Sequence, residues 1–411
     1  MLAYGIISDV QNSTPRVAAR VGLQVVDLPL LLQLGGMNVS NPAAANSLMA
    51  ATLNEFIAQG LDFRTEVKAA VVAAIAAVAA DPAAVVAAAI RDLARVTLHH
   101  PLKVGGFTDF YASKQHATNI GKIFLPQNPL LPNWEHLPIA YNGRASSVVI
   151  SGHPVRRPQG QILHGDKPQL APTTKLDLET ELGIVIAKSN KLGAAIPIAA
   201  ASEYIFGICL VNDWSARDIQ AWEYQPLGPF TSKSFLTSIS AFIIPLEELS
   251  AFKVAAPLQD PQPLAYLQET NPVSYDIRLE VSLKTATDSR EMVISRCNFK
   301  DIYWTMQQWI AHHTVSGCNL QVGDILASGT ISGNAPDSLG SLMELTVNGS
   351  LPLNLPNGEQ RTFLADGDEI IIRGYCGTEA AAFAEVAGKI LPQTSLLVDS
   401  VTENICPLGS N

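Results

Sequence analysis

Charged side chains are scarce in this chain, and the acidic ones outnumber the basic ones. Only 16% of the 411 residues are charged, and 27 Lys and Arg against 37 Asp and Glu give a formal net charge of −10. A surface of this sign repels phosphate backbones, so the composition argues against a nucleic acid partner. The length of 411 residues suffices for one large core and a smaller one, which predicts two domains, and the 47% share of hydrophobic residues predicts a folded chain.

Cysteine is also infrequent. The chain has five, namely Cys209, Cys297, Cys318, Cys376 and Cys406. Their number is odd, their spacing is wide, and no CxxC motif occurs. This pattern argues against a disulfide framework and against a thiolate zinc site, and it indicates a reducing compartment.

We expect no targeting signal in the opening segment, and the sequence has no long uninterrupted hydrophobic run. The opening segment MLAYGIISDV has neither the basic flank of a signal peptide nor the Arg-rich character of a transit peptide. The most apolar stretch, residues 68–90, is divided by Asp81 and Pro82, and neither half reaches the ~20 residues that a membrane span needs. We interpret this stretch as two packed helices, and we expect a cytoplasmic protein with no membrane partner.

The composition changes near residues 99–101. Before this point, residues 1–35 carry short β-rich runs, and Ala-rich segments predict helices at residues 43–59, 64–80 and 82–95. After it, Gly, Pro, aromatic and β-branched residues become more frequent. Strands are then predicted at residues 146–152, 182–187, 238–245, 275–283, 324–332 and 368–376, with one helix at 302–317. We therefore expect a small N-terminal domain, residues 1–98, and a mostly β domain, residues 99–411.

The sharpest motif is acidic. The segment LDLETELGIVIA places Glu179 and Glu181 two residues apart, directly before an apolar β-branched run. On a strand, side chains at this spacing point to the same face. Adjacent carboxylates repel unless a cation neutralises them, and a hard divalent ion with oxygen ligands does so. A Glu-x-Glu pattern also occurs on exposed strand faces, so the motif alone leaves that alternative open.

Two further segments combine acidic, aromatic and basic side chains. The segment FTDFYASKQHATNIG contains Asp109, Tyr111 and His116. In LVNDWSARDIQAWEYQPLGPF, Asp213 follows an apolar run and therefore lies where a strand ends. If the next residues are helical, one face carries Arg217, Gln220 and Tyr224. Such a face next to a strand-end Asp is typical of a binding wall.

These segments resemble the fumarylacetoacetase family. The resemblance runs from the N-terminus to about residue 393, and it is densest over residues 108–376. The segments that carry it are TDFYASKQHATNIG, LPNWEHLPIAYNGRASSVVISG, LDLETELG, NDWSARDIQAWEYQPLGPF, KSFLTS, YWTMQQWIAHHTVSGCNLQVGDILASGTISG and LADGDEIIIRGYC. They are long and stand in the family's order, so a chance match is not credible.

The resemblance implies a mostly β fold with helices. We expect an SH3-like small N-terminal domain, a C-terminal β-roll domain of the fumarylacetoacetase type, and a homodimer. The implied activity is metal-dependent hydrolysis of a carbon–carbon bond in a β-diketone acid, with 4-fumarylacetoacetate as the leading substrate and fumarate and acetoacetate as products. This is a step of tyrosine and phenylalanine breakdown.

The resemblance also implies roles for individual residues. The catalytic Ca²⁺ or Mg²⁺ would be held by Asp109, Glu179, Glu181 and Asp213. A second, structural cation, Mg²⁺ or monovalent, would lie near Asp213, Lys233 and Thr237. His116 would be the general base, oriented by Glu344. The oxyanion would be stabilised by Arg217, Gln220 and Lys233. The substrate site would be lined by Tyr111, Tyr141, Gln220, Tyr224 and Thr330.

Two positions depart from the family pattern. The family places an Arg just after the Phe of the segment that follows the catalytic His, where it binds a substrate carboxylate. Here that segment reads GKIFLPQNPLLPNW, is about one residue shorter, and has Leu125 at or near the Arg position. The family's GYHGRASS also reads AYNGRASS, with Asn142 in place of His. Without a bidentate Arg, carboxylate recognition is weaker.

Three alternatives to fumarylacetoacetate hydrolysis stay open. A paralogue would keep the metal and His116 and hydrolyse another acylpyruvate or β-diketone with a different distal end. A second alternative is decarboxylation or isomerisation, as in smaller relatives of the fold, and the presence of His116 and Glu344 argues against it. The third is an inactive structural or binding relative, which the intact metal and acid–base residues make improbable.

Overall fold

The computed structural model describes residues 1–378 and 383–394. Cys406 and the last residues of the predicted second domain therefore lie outside the described part. Strands outnumber helices within it, which confirms the mostly β prediction.

The strands up to residue 239 are β1 (Leu2–Ser8), β2 (Arg16–Val21), β3 (Gln24–Asp27), β4 (Ile90–Asp92), β5 (Thr97–His99), β6 (Phe107–Phe110), β7 (Ala140–Asn142), β8 (Val148–Ile150), β9 (Val155–Arg156), β10 (Gln159–His164), β11 (Lys167–Pro172), β12 (Leu176–Asp177), β13 (Thr180–Ile186), β14 (Ile205–Asp213), β15 (Ser215–Ala216) and β16 (Thr237–Ile239). The later strands are β17 (Phe242–Pro245), β18 (Lys253–Ala255), β19 (Val273–Tyr275), β20 (Arg278–Lys284), β21 (Met292–Asn298), β22 (Ile325–Ala327), β23 (Leu353–Asn354), β24 (Gln360–Arg361), β25 (Glu369–Tyr375) and β26 (Val386–Leu391). The α-helices are α1 (Leu28–Gln33), α2 (Asn54–Ala58), α3 (Gly60–Ala80), α4 (Lys114–Phe124), α5 (Arg217–Glu223), α6 (Thr231–Ser234), α7 (Met306–Thr314) and α8 (Leu342–Leu345).

One large sheet of 13 strands contains strands from between residues 2 and 327. Its main path runs β4-β3-β2-β1-β17-β14-β13-β22-β6-β7, and β5, β8 and β16 pair at its sides. The N-terminal strand β1 pairs antiparallel with β17, where Tyr4 lies opposite Ile243. A second sheet has the order β21-β20-β25-β26-β9. Because the first segment's strands continue into the main sheet, the boundary at residue 98 stays a prediction.

Strands β13 and β14 are buried on both faces. Alternate side chains of a strand point to opposite sides, and Ile184 and Leu210 belong to one core cluster while Val185 and Val211 belong to another. Strands that are covered on both sides consist of near-continuous apolar runs, as TELGIVI and IFGICLVND do. These two strands therefore form a rigid support whose ends reach the polar site described below.

The predicted helix at residues 82–95 is wrong. This segment contains short 3₁₀ turns at Val85–Ala89 and Leu93–Arg95, with strand β4 between them. The Asp81 carboxylate accepts a hydrogen bond from the Ala83 N–H at 2.9 Å and stabilises a turn instead of a helical start. Ile90 then pairs with Val26 in the sheet. An Ala-rich apolar run is compatible with either a helix or a short edge strand. Here the pairing of β4 with β3 determines that the segment forms a strand.

Two other predicted elements are shorter than expected. Residues 43–59 form a 3₁₀ turn, Ala44–Met49, and the short helix α2. The strand predicted at residues 324–332 ends at Ala327, because Gly329 adopts a φ of 71° and turns its N–H towards the Asp109 carboxylate at 3.0 Å. A left-handed backbone at this position suits glycine alone. In the described ranges, no helix has the length and hydrophobicity to cross a membrane.

Leu210→Ala should lower the free energy of unfolding by about 2–5 kcal/mol, because it opens a cavity beneath the site-bearing strands. Leu210 is fully buried on β14, whereas Leu170 on β11 is 64% exposed. The matched variant Leu170→Ala should change stability by less than about 0.5 kcal/mol. Urea denaturation followed by tryptophan fluorescence measures both, and equal midpoints for the two variants would contradict the assigned core.

Candidate active site

Four carboxylates converge where several strands of the main sheet end. Their ligand oxygens all lie within 4.8 Å of one another, and the four residues are Asp109, Glu179, Glu181 and Asp213. Asp109 lies on β6, Glu181 on β13, and Asp213 is the last residue of β14. Glu179 immediately precedes β13, and its carbonyl accepts the Asp213 N–H at 3.2 Å. All four side chains are buried.

Two cations compensate only part of this negative charge. The Lys233 ammonium donates to Asp213 Oδ2 at 2.9 Å and also to Glu179. Arg217 Nη1 lies 2.8 Å from Glu179 Oε1. Burial alone would raise the pKa of Glu179, but the adjacent Lys233 and Arg217 lower it to about 2. This carboxylate is therefore held in its ionised form.

Neutral donors complete the surroundings of Asp213. The Tyr141 hydroxyl donates to Asp213 Oδ2 at 2.5 Å, and the Thr237 hydroxyl donates to Asp213 Oδ1 at 2.7 Å. Burial and the nearby carboxylates raise the pKa of Tyr141 well above its usual range, so the phenol stays a donor. The second cation expected near Lys233 and Thr237 stays a prediction, and the Lys233 ammonium itself supplies positive charge there.

The Glu181 carboxylate lacks such compensation among the described residues, whereas the Asp109 carboxylate accepts the Gly329 N–H at 3.0 Å. Neither oxygen of Glu181 receives a hydrogen bond from a donor within the described part of the chain. Burial and the neighbouring acidic side chains raise the pKa of both Glu181 and Asp109. An uncompensated buried carboxylate is costly. Four clustered carboxylate oxygens are the donor set that a hard divalent cation prefers, so these residues fit a metal ion.

A second group, beside the carboxylates, pairs a histidine with a glutamate. His116 on α4 donates from Nδ1 to Glu344 Oε2 on α8 at 2.7 Å. The ionised carboxylate can only accept, so Nδ1 carries the proton and Nε2 is the nitrogen available to a base reaction. The ring edge of His116 contacts Tyr111, with centroids 5.3 Å apart. This pairing orients the imidazole as acid–base catalysis requires.

Three donors around Glu344 were missed in the sequence. The hydroxyls of Ser332 and Ser341 each donate to Glu344 Oε2 at 2.9 Å, and Asn119 Nδ2 donates to Oε1 at 2.9 Å. Burial would raise the pKa of Glu344, but His116 and these donors lower it. Asn119 follows His116 by three residues on one helix, and that spacing was a usable signal. Ser332 and Ser341 gave none.

Helix α5 supplies two of the three expected oxyanion donors, Arg217 and Gln220. Arg217 Nη1 donates to Gln220 Oε1 at 3.2 Å, while Arg217 Nη2 is buried and has no partner among the described residues. The hydroxyl of Thr330 is likewise buried and unpartnered there. Unused buried donors beside a charged cluster are available to a ligand. Tyr224 forms the C-cap of α5 and is exposed, and its hydroxyl accepts a hydrogen bond from Gln225 Nε2 at 2.8 Å.

The two departures from the family pattern lie in different places. Leu125 ends α4 and is half exposed. Asn142 lies on β7 next to Tyr141. Its Oδ1 accepts a hydrogen bond from the hydroxyl of Thr108, the residue before Asp109 on β6, at 3.4 Å. It lines a cavity of about 660 Å³ that does not include the carboxylate cluster. The Asn142 departure therefore does not alter the metal cluster, whereas Leu125 borders the helix of His116.

The chain matches two family models and several known proteins. Residues 2–101 match Fumarylacetoacetase N-terminal, and residues 106–384 match Fumarylacetoacetate (FAA) hydrolase C-terminal. The fumarylacetoacetase of Mus musculus is 44% identical over 405 residues, which covers 96% of this chain and 96% of that protein. The Homo sapiens protein of the same name is 45% identical over 401 residues, covering 95% of each.

A solved structure agrees with these matches at the level of the fold. The fumarylacetoacetate hydrolase from psychrophilic Exiguobacterium antarcticum has a TM-score of 0.51, with 15% sequence identity. The similarity covers 96% of this chain and 100% of that one. At this identity the similarity concerns the fold alone.

Glu181→Gln should abolish the stabilisation by metal and leave the metal-free protein at least as stable as the metal-free wild type. The substitution removes a buried carboxylate that is costly to ionise, and it also removes a metal ligand. In the wild type, metal at about 100 times its Kd should add about 2.7 kcal/mol. Thermal midpoints with Ca²⁺ or Mg²⁺ and with chelator measure this. The control Glu203→Gln removes an exposed carboxylate paired with Lys188 and should respond as the wild type. An undiminished response of Glu181→Gln would contradict the ligand assignment.

Metal binding should release protons and become tighter as the pH rises. The raised pKa values of Asp109 and Glu181 keep protons on the metal-free cluster that a cation must displace. Lowering the pH therefore weakens binding. Calorimetric titration in two buffers of different ionisation enthalpy counts the released protons. Affinity that is independent of pH, with no proton release, would show that the cluster is already fully ionised.

Proposed function

The chain belongs to the fumarylacetoacetate hydrolase family, and on that premise we propose that it hydrolyses 4-fumarylacetoacetate to fumarate and acetoacetate. The observation that carries the proposal is the combination of a buried cluster of four carboxylates with the His116–Glu344 pair beside it. Relatives named fumarylacetoacetase are 44–45% identical over nearly the whole chain. The reaction belongs to tyrosine and phenylalanine breakdown.

Hydrolysis of a β-diketone acid begins with attack of water on one carbonyl carbon. His116 Nε2 takes a proton from the water as the C–O bond forms, and Glu344 stabilises the resulting imidazolium. The carbonyl oxygen becomes an oxyanion, which Arg217 Nη2, without a partner among the described residues, and the amide of Gln220 are suited to stabilise. Lys233 has a third N–H beyond its two carboxylate contacts and can add to this stabilisation.

The carbon–carbon bond then breaks, and its electron pair stays on the carbon next to the second ketone. The imidazolium of His116 returns its proton to this carbon, so the base is regenerated and one carboxylic acid and one methyl ketone acid leave. A divalent cation held by Asp109, Glu179, Glu181 and Asp213 would supply Lewis-acid stabilisation of the β-diketone oxygens. We expect the substrate to contact side chains around these groups, namely Tyr111, Tyr141, Gln220, Tyr224 and Thr330.

The finer properties follow as part of the same proposal. The ion is Ca²⁺ or Mg²⁺, since an all-oxygen donor set suits either. The protein acts as a homodimer in the cytoplasm on a small-molecule diketo acid, with neither a nucleic acid nor a membrane as partner. The acidic net charge of −10 is consistent with this choice of partners.

A second candidate substrate rests on one residue. Leu125 is half exposed at the end of the helix that carries His116, where the family places a carboxylate-binding Arg. A side chain without a donor there would suit another acylpyruvate or β-diketone whose distal end is less acidic. This alternative keeps the metal cluster and the acid–base pair.

The test of the function is the ultraviolet absorbance of fumarylacetoacetate mixed with purified protein. We expect the diketone band to disappear rapidly, to persist after chelation, and to disappear again once Ca²⁺ or Mg²⁺ is restored. A panel of acylpyruvates measured in parallel compares kcat/KM values. If another diketone is turned over far faster, the second candidate is correct. If folded, metal-loaded protein leaves every diketone intact, hydrolysis is contradicted.

His116→Ala should lower kcat by about 10²–10⁴-fold, because it removes the imidazole that takes the proton from water. The fold and the metal affinity should be retained, since His116 is not one of the four proposed metal ligands. His153→Ala is the matched control, because His153 is exposed and its ring Nδ1 bonds to the Pro154 carbonyl at 2.9 Å. Near-normal turnover in His116→Ala would eliminate His116 as the base.

A further inference from the structure

Asp177 is a buried carboxylate outside the metal cluster, and none of the roles above includes it. Its side chain is fully buried on β12. Asp177 Oδ2 accepts hydrogen bonds from Arg217 Nε at 2.8 Å and from the Met343 N–H at 3.0 Å. Asp177 Oδ1 accepts from the N–H groups of Leu342 and Leu178, each at 2.8 Å. Both oxygens are thus occupied by donors.

The donors on Asp177 come from two distant parts of the chain. Arg217 begins α5, directly after β15, and β15 pairs with β12 so that Asp177 lies opposite Ser215. Leu342 and Met343 are the first two residues of α8, and the next residue is Glu344. One carboxylate therefore binds both the expected oxyanion donor and the helix that presents Glu344 to His116.

This arrangement constrains the guanidinium of Arg217 closely. Nε is bound to Asp177, and Nη1 is bound to Glu179 at 2.8 Å. A planar guanidinium that is held at two of its nitrogens has one orientation, so the direction of the third is determined. The third nitrogen, Nη2, is the one left without a partner in the described residues. It is therefore the nitrogen available to an oxyanion.

We propose that Asp177 is a positioning residue for hydrolysis, which aims Arg217 Nη2 at the oxyanion and holds Glu344 behind His116 through a single carboxylate. The inference rests on the proposed function. Catalytic groups must be held within fractions of an ångström of their productive geometry by the side chains that support them. Asp177 provides this support to the oxyanion donor and to the acid–base pair together.

Asp27 provides a matched control for a purely structural role. It is also buried, accepts a hydrogen bond from Arg16 Nε at 2.7 Å, and accepts the Leu30 N–H of α1 at 3.1 Å. It thus has the same two kinds of partner, an arginine and the start of a helix. It lies in the N-terminal part of the main sheet, apart from the active site.

The experiment compares Asp177→Asn with Asp27→Asn in the metal-loaded enzyme. Both substitutions place an amide where an arginine and a backbone N–H need an acceptor, so both should lower the thermal midpoint. Only Asp177→Asn should lower kcat per folded enzyme, on the order of 100-fold with KM nearly unchanged, as loss of an oxyanion donor does. If both variants keep the wild-type kcat, Asp177 is structural and the proposal fails.

A double variant tests whether Asp177 acts through Arg217. Arg217→Ala should itself lower kcat, and adding Asp177→Asn should then lower kcat by less than it does in the wild-type background, since only the support of α8 is left to lose. A full, multiplied effect in the double variant would overturn the coupling. If Asp177→Asn does not fold, Asp177→Glu is the second variant. It keeps the charge but displaces Arg217 by one methylene, and a wild-type kcat in that folded variant would also overturn the proposal.

The outcomes separate this inference from the proposed function. If the wild type and Asp27→Asn fail to hydrolyse fumarylacetoacetate and the other diketones, the proposed function fails first. If both hydrolyse a diketone and Asp177→Asn does so equally well, the proposed function stands and only the positioning role of Asp177 is lost.

Discussion

The electrostatic repulsion among four buried carboxylates is the constraint that the rest of the structure has to offset. Asp109, Glu179, Glu181 and Asp213 lie with oxygens within 4.8 Å, and nearby cationic compensation comes from Lys233 and Arg217. Arg217 is also shared with Asp177. If all four carboxylates are ionised, a formal charge of −2 or more negative remains after Lys233 and Arg217 are counted. Keeping that charge buried costs free energy. A bound divalent cation removes that charge, which explains why a fold would retain such a cluster in its interior.

Hydrogen bonds in the rest of the site hold its other charged side chains in fixed positions. Glu344 stays ionised although it is buried, because His116, Asn119, Ser332 and Ser341 all donate to it. The Glu223 carboxylate receives the N–H groups of Phe230 and Ser232, which fixes the loop that leads into α6 and Lys233. The strands β13 and β14, packed on both faces, keep the carboxylates from moving apart.

Much of this could be predicted from the sequence, because the signals were local. The Glu179–Glu181 spacing and the position of Asp213 after an apolar run indicated carboxylates at strand ends, and the structure brings them together with Asp109. The helix at residues 82–95 was mispredicted because its Ala and Val residues suit a turn and an edge strand equally well, and the pairing with β3 decided. Local patterns carry no information about such distant partners.

The supporting residues could not be predicted for the same reason. Ser332 and Ser341 reach Glu344 from a loop and a helix cap, and neither residue type in that setting is unusual. Asp177 stands two residues before the acidic motif, but its partners at residues 342 and 343 are far away in sequence. Asn142 stands where the family has His, and the alternation of side chains along β7 turns it to the opposite face from Tyr141.

The most direct test of the central claim is a crystal structure of the protein grown with Ca²⁺, with the ion located by its anomalous scattering. The account predicts a peak among the four carboxylates, with oxygens of Asp109, Glu179, Glu181 and Asp213 within about 2.3–2.6 Å of it. Lys233 should remain hydrogen-bonded to Glu179 and Asp213. An ordered site without a peak, in which donors of the protein itself satisfy Glu181, would contradict the account.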